Sequence, residues 1–193
     1  MQMMYTTNRL SLRLLNENDA AMVLDFYQRN KDFFRPYEPQ QSNQFYTIAF
    51  QESALRADNV LFLRASSLRY YIFEKNKEQN VIGTVSFSHL YHQPYASCKL
   101  GYRLDKDAQK NGFAYEALCF LIPQLIQDHK IHRIEADIMP DNIPSIKLIT
   151  KLGFTFEGIA RDCCEISGKW EHHLRFSLLS TDPLPNFHLK LDC

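Results

Sequence analysis

Residues 141–158 read DNIPSIKLITKLGFTFEG, and their order of residue types is the most informative in the chain. Asn142 is a fitting N-cap, because an Asn side chain accepts from the N–H groups that a helix start leaves unpaired. Pro144 is tolerated in the first turn, and Gly153 suits the position just past a helix end. A short helix is therefore predicted over 142–154. Ser145, Leu148, Ile149 and Leu152 share one face of it. The apolar members read as core, and Ser145 is a polar group aimed the same way. Two readings of Ser145 stay open at this level, a capping residue and a hydroxyl presented to a ligand.

Some thirty residues upstream lies QKNGFAYEAL, residues 109–118. Ala114, Ala117, Leu118, Leu121, Ile122 and Leu125 fall on one face at helical spacing. A helix therefore starts close to Gly112, and Pro123 is expected to kink it or break its last turns. A helix start carries unpaired N–H groups and the positive end of the dipole. A glycine there removes the Cβ and lets a phosphate reach the backbone. Gln109 offers a side-chain donor and Lys110 a charge. The other reading is a strand-to-helix turn that uses glycine for its backbone angles. The stretch is not a Walker A loop, since no GK[ST] follows, and it is not GxGxxG.

Outward from these two helices the pattern is α/β. Alternation predicts strands at 9–15, 69–75, 81–92, 97–104, 132–138, 156–166 and 169–179. The turns NKEQN (76–80) and Ser167-Gly168 join two antiparallel pairs. Gly101 inside 97–104 implies a bulge or the close approach of another group. Helices are predicted at 16–30, capped by Asn16 or Asn18, and at 42–57. FFRPYEP (33–39) must be a loop, because two prolines forbid helix continuation. Residues 181–193 read as an irregular tail of a single domain spanning 1–193.

Composition excludes several classes. Lys plus Arg and Asp plus Glu both number 22 in 193 residues, so nothing in the net charge calls for nucleic acid or an anionic membrane. The start lacks the basic and apolar regions of a secretion signal. The most apolar run, ALCFLIPQLI (117–126), is too short to span a bilayer. Five irregularly spaced cysteines imply no disulfide framework and fit reduced thiols in a cytoplasm. Neighbours Cys163 and Cys164, like His172 and His173, point to opposite faces of a strand, and no ligand spacing for a metal is present.

The chain resembles the GNAT N-acetyltransferases. The resemblance rests on a Q/R-x-x-G-x-G/A signature after a strand, met by Gln109, Gly112 and Ala114, and on N-x-x-S-x-x-L-x-x-K-L-G-F-x-x-E-G from Asn142 onward. NRLSLRLLNENDA, FRPYEP, SCKLGYRLD and IHRIEADIMPDN are further matching pieces, similar to the RimJ/RimL group that acetylates ribosomal-protein alanine. It covers roughly residues 8 to 180.

The resemblance implies a twisted mixed sheet of about seven strands, mostly antiparallel, with a splay between strands 4 and 5 (97–104 and 132–138). Acetyl-CoA would lie in the splay. Its pyrophosphate would sit on the N–H groups of Gln109, Lys110, Asn111, Gly112, Phe113 and Ala114. Its pantetheine would pair with the strand around Leu104, Asn142 would hydrogen-bond the arm, and Ser145 would protonate the leaving thiolate. The acceptor implied is the N-terminus of a ribosomal protein, handled by a monomer or a dimer.

Such a reaction needs a neutral amine, a proton acceptor and an oxyanion donor, with both substrates held together. No acyl-enzyme cysteine is required. Glu38, His89, Tyr102 and Glu157 are the candidate bases. Glu38 lies in a loop that resembles the family's acceptor-side W-E-P segment, with Tyr37 in place of the Trp. His89 also reads as a structural strand residue, Tyr102 as packing, and Glu157 as a cap or ion-pair partner. Glu116 complements the helix dipole and needs no catalytic role. Two other functions fit the same residues: acetylation of a small amine, and acetyl-CoA binding without turnover.

Overall fold

The computed structural model describes residues 1–186. Among them eight strands form one sheet. They are β1 (Met4–Thr6), β2 (Leu10–Arg13), β3 (Leu68–Glu74), β4 (Val81–Tyr91), β5 (Ser97–Leu104), β6 (Arg133–Ile138), β7 (Thr155–Ile166) and β8 (Lys169–Leu179). Their order is β1-β2-β3-β4-β5-β6-β8-β7. Only β5 and β6 run parallel, because the connection between them is a helix crossover rather than a hairpin. The sheet is therefore mixed and mostly antiparallel, as expected. The strand beyond the expected seven is β1, whose one buried residue, Tyr5, is too short a pattern to read as alternation.

The helices are α1 (Ala20–Arg29), α2 (Lys31–Phe34), α3 (Ile48–Leu63), α4 (Phe113–His129) and α5 (Ile143–Lys151). Asn16 caps a 3-10 turn, Glu17–Asp19, through a reciprocal box with Asp19, and α1 follows from it. Phe33 and Phe34 close the single turn of α2 rather than lying in a loop; the chain turns irregular only ahead of Pro36. The helix expected at 42–57 is displaced. Thr47 accepts from Phe50 N–H and starts α3, which runs to Leu63. Pro123 does not end α4. Leu121, Ile122 and Leu125 around it are fully buried, and that packing outweighs one lost backbone bond.

The core has two parts. One face of the sheet (Tyr70, Ile72, Val85, Phe87, Ile134, Leu178) packs on α4 and α5 through Leu118, Leu121, Ile122 and Ile149. The opposite face, near β3 and the start of β4, packs on α1 and α3 through Val23, Phe26, Tyr27 and Leu55. Toward β5 and β6 the helices no longer cover this second face. The tail is irregular through residue 186, and residues 187–193, including Cys193, lie outside the described part.

Candidate active site

β5 and β6 pair only over Ser97–Lys99 with Arg133–Glu135. Beyond that point β5 continues to Leu104 along β4 alone, and β6 continues to Ile138 along β8 alone. This is the splay expected between the strands at 97–104 and 132–138. Asp105 N–H bonds Ile82 O on β4 at 2.8 Å, while Leu104 O points away and accepts from Gln109 Nε2 at 3.0 Å. Main-chain groups alternate along a strand, so those of Leu104 and Tyr102 face the splay.

The loop after β5 turns sharply into α4. Lys110 and Gly112 have φ of 63° and 75°. Among the described residues, the N–H groups of Asn111, Gly112, Phe113 and Ala114 donate to no backbone carbonyl or side chain. Unpaired donors at the start of a 17-residue helix, at the positive end of its dipole, suit an anion. A Cβ on Gly112 would lie 3.5 Å from Arg9 Nη2, so the protein leaves ordinary room and the glycine serves the backbone angle and the open approach. Gln109 does not aim its side chain at this cradle; Nε2 braces Leu104 O and Asp105 O. Lys110 is exposed at the rim, and the Phe113 ring is buried beneath the Arg9 guanidinium.

Arg9 is the cradle residue that reading along the sequence missed. Its Nε bonds Glu116 Oε2 at 2.7 Å and its Nη1 bonds Asn111 O at 3.0 Å. Glu116, 1% exposed, also accepts from Arg9 N–H and Thr7 Oγ1. It therefore ties the turn that leads into β2 to the first turn of α4, in addition to complementing the dipole. Nothing local marks this pair, which is 107 residues apart.

At the other side of the splay, α5 begins where β6 ends. Asn142 is its cap, Oδ1 accepting from Ser145 N–H at 3.2 Å. Gly153, with φ 89°, ends it. Phe154 N–H bonds Ile149 O at 3.2 Å and Gly153 N–H bonds Thr150 O at 3.0 Å, which is a Schellman closure. Since Asn142 does the capping, Ser145 Oγ is not needed for it. Neither Ser145 Oγ nor Asn142 Nδ2 bonds a described residue, so both are available to a ligand.

Two cavities meet in the splay. One of about 180 Å³ is bounded by Leu104, Gln109, Ala114, Asn142, Pro144, Ser145 and Leu148, on the side of the cradle. The other, of about 320 Å³, opens on the uncovered sheet face along Arg69, Ser86, Gly101, Asp137 and His173. Tyr37, Glu38, Tyr102, Arg103, Asn142 and Ser145 line both. One site thus has an anion cradle and narrow arm on one side and a wider opening on the other. Gly101 sits in the floor of the wider one. The β4–β5 register runs unbroken through it, and a Cβ there would come 3.0 Å from Ser86 Oγ. Of the two expectations for Gly101, close approach is the one met; the bulge is on β4, between Ser88 and Tyr91.

The candidate bases are placed unequally. Glu38 lines both cavities, but Arg103 Nε and Nη2 hold its two oxygens at 2.5 and 3.0 Å. Tyr102 lies in the splay with its hydroxyl donating to Ser145 O at 3.2 Å. Burial pushes that phenol up to about 12, so it is a donor at neutral pH. His89 lines neither cavity. It is exposed at the β4 bulge with φ 53° and touches Ser88 Oγ. Glu157 also lies away from the splay. Hydrogen bonds from Arg133 and Ser177 hold it at about 2, as an ion-pair partner. Unforeseen in the sequence, Arg69, Asp137 and His173 face the wider cavity. Asp137 bonds Lys99 at 2.7 Å, and Arg69 Nε has no partner among the described residues. No three His, Cys, Asp or Glu side chains among the described residues are grouped to hold a metal.

Residues 9–155 match the family described as acetyltransferase (GNAT) domain. The chain is 32% identical over 180 residues to a ribosomal protein uS5-alanine N-acetyltransferase of Escherichia coli (strain K12), covering 93% of this chain and 92% of the relative. A ribosomal-protein-S5-alanine acetyltransferase from Vibrio fischeri superposes with a TM-score of 0.89 at 29% identity, over 93% of this chain and 98% of that one. Mycobacterium smegmatis RimJ, solved with CoA-disulfide, shares the fold with a TM-score of 0.83 at 22% identity, over 89% and 82%.

Proposed function

We propose that this chain, which belongs to the GNAT acetyltransferase family and uses acetyl-CoA as acyl donor, acetylates the N-terminal α-amino group of a protein that begins with alanine. A ribosomal protein is the first acceptor to test. The observation that carries the reading is the likeness along nearly the whole chain to an alanine N-acetyltransferase of a ribosomal protein. The wide opening supports it: a polypeptide end needs a route that stays open behind the amine, and the sheet face beside Gly101 and Asp137 is uncovered.

Acetyl-CoA supplies an activated thioester, and the chain supplies position. The N–H groups of Asn111 to Ala114 would hold the pyrophosphate, helped by the helix dipole. The main chain of Tyr102 and Leu104 would pair with the pantetheine amides, and an N–H of this edge would stabilise the developing oxyanion. Asn142 Nδ2 would donate to the arm. Ser145 Oγ would hand a proton to the departing sulfur, with Tyr102 holding the α5 start against β5 through Ser145 O. No helix among the described residues is long and apolar enough to cross a membrane.

The test is acetyl transfer read by mass spectrometry on short peptides beginning with Ala or Ser, beside a panel of small amines and amino acids. Acetylation of the α-amino group of an Ala-first peptide, lost when that terminus is blocked, is the expected result. Transfer to small amines alone would reassign the acceptor.

A further inference from the structure

We infer that His173 is the general base of the transfer, accepting the acceptor amine's proton at Nε2. The inference rests on the acetyltransferase reading, not on which amine is the acceptor. His173 is 8% exposed on β8 and faces the cavity that also contains Ser145 and Tyr102. Its chain neighbour His172 points the other way, to Asp162.

The two carboxylates that line the cavity are paired with cations, and Tyr102 is bonded to Ser145 O. Glu38 on the loop after α2 is gripped by Arg103 of β5. Asp137 of β6 is bonded to Lys99 and lies 3.6 Å from Arg175 Nε. Tyr102 keeps its proton. Among the described residues His173 has no carboxylate or cationic partner, and its one side-chain hydrogen bond is with Cys163 of β7, Sγ 3.3 Å from Nδ1.

The contacts around the thiol fit the Nδ1–H tautomer, and that tautomer is the one assigned to His173. Cys163 S–H donates to Glu171 O at 3.8 Å. With its one hydrogen directed to Glu171 O, the sulfur is left to accept from His173 Nδ1–H. The lone pair is then on Nε2, which bonds no described residue and is not sealed from solvent. An imidazole held at one nitrogen, with the other open to a substrate cavity, is how a histidine base is oriented.

The proton balance is simple. An incoming ammonium loses one proton to Nε2, directly or through one water. The neutral nitrogen forms its bond to the acetyl carbon and the carbon–sulfur bond breaks. The second proton leaving nitrogen goes to the sulfur by way of Ser145, and the imidazolium returns its proton to water.

Two measurements test this. The first needs no acceptor: ¹⁵N NMR of the histidine rings in the wild-type protein should show His173 as the Nδ1–H tautomer. An Nε2–H ring overturns the proposal. The second compares His173→Asn, which keeps a donor toward Cys163 but lacks Nε2, with wild type on whichever peptide or amine wild type acetylates. Its kcat/KM should fall about 10²–10⁴-fold, with acetyl-CoA affinity retained and the acidic limb of the pH profile gone. Cys163→Ala should show a smaller loss with that limb kept. A wild-type rate in His173→Asn, or an unchanged acidic limb, overturns it.

Discussion

Glu38 and Arg103 form a two-pronged ion pair between the loop after α2 and the strand that borders the splay, with Nη2 to Oε2 at 3.0 Å. The pair spans 65 residues and pins the loop against the site where donor and acceptor meet. Arg103 also lies over the Tyr27 ring, 5.7 Å from its centroid, so the same cation reaches the α1 core.

Glu38→Gln is expected to act on position rather than on proton transfer. It leaves Arg103, 28% exposed, short of its countercharge and destabilises the fold by about 1–3 kcal/mol. Acceptor KM should rise while the shape of the pH profile stays. Steady-state kinetics across pH check this; loss of the acidic limb would instead make Glu38 the base.

Gly112→Asp should abolish acetyl-CoA binding. The backbone there has φ 75°, which a side chain resists by about 1–2 kcal/mol, and the new carboxylate would repel the pyrophosphate. Calorimetric titration with CoA reads the affinity and thermal melting reads the strain. Unchanged affinity in a folded variant would remove the phosphate assignment.

Ser145 and Asn142 should separate cleanly. Ser145→Ala leaves the α5 cap in place, since Asn142 Oδ1 still accepts the residue 145 N–H. Its melting temperature and CoA affinity should match wild type, while kcat falls on the order of 10²-fold. Asn142→Ala should lose about 1 kcal/mol of stability with the cap and also weaken CoA. Wild-type turnover in Ser145→Ala would end its role at the sulfur.

Asp105 predicts a part of the acid sensitivity. Burial raises its pKa, but hydrogen bonds from Asn30, Asp107 N–H and Arg29 outweigh that and hold it below the usual carboxylate value. A depressed carboxylate contributes stability that is present above the unfolded-state value and is lost as pH falls through the folded one. Denaturant titrations should therefore show wild type losing stability below about pH 4, with Asp105→Asn less stable at neutral pH and flatter in acid.

The parts of this protein readable along the chain are those decided by near neighbours. Alternation and a following turn are local, and the bounds they predict, 97–104, are those of β5, Ser97–Leu104. α5 was legible from Asn142, Pro144 and Gly153, each of which acts within one helical turn. Where packing overrules a local preference, the structure departs from the pattern. Of the kink or break expected at Pro123, the break does not occur, since α4 continues to His129 through buried neighbours, and α3 is capped by Thr47 rather than starting in the stretch from Ser42.

Roles that depend on who meets whom needed the folded sheet. Gln109 looked like a phosphate donor and braces the strand end instead. His89 and His173 are both strand histidines, yet a bulge leaves one exposed, and β8 carries the other, paired with Ala160 of β7, to the cavity beyond the end of β6. Residue types and short spacings by themselves determined the starts of α4 and α5, the glycine cradle and the paired Asn142 and Ser145, because capping, turn geometry and periodicity act over a few residues. Only the tertiary structure decided which charges cancel and which imidazole is left open. Ion pairs such as Arg9–Glu116 and Arg103–Glu38 form between groups 107 and 65 residues apart, and strand order alone brings those together.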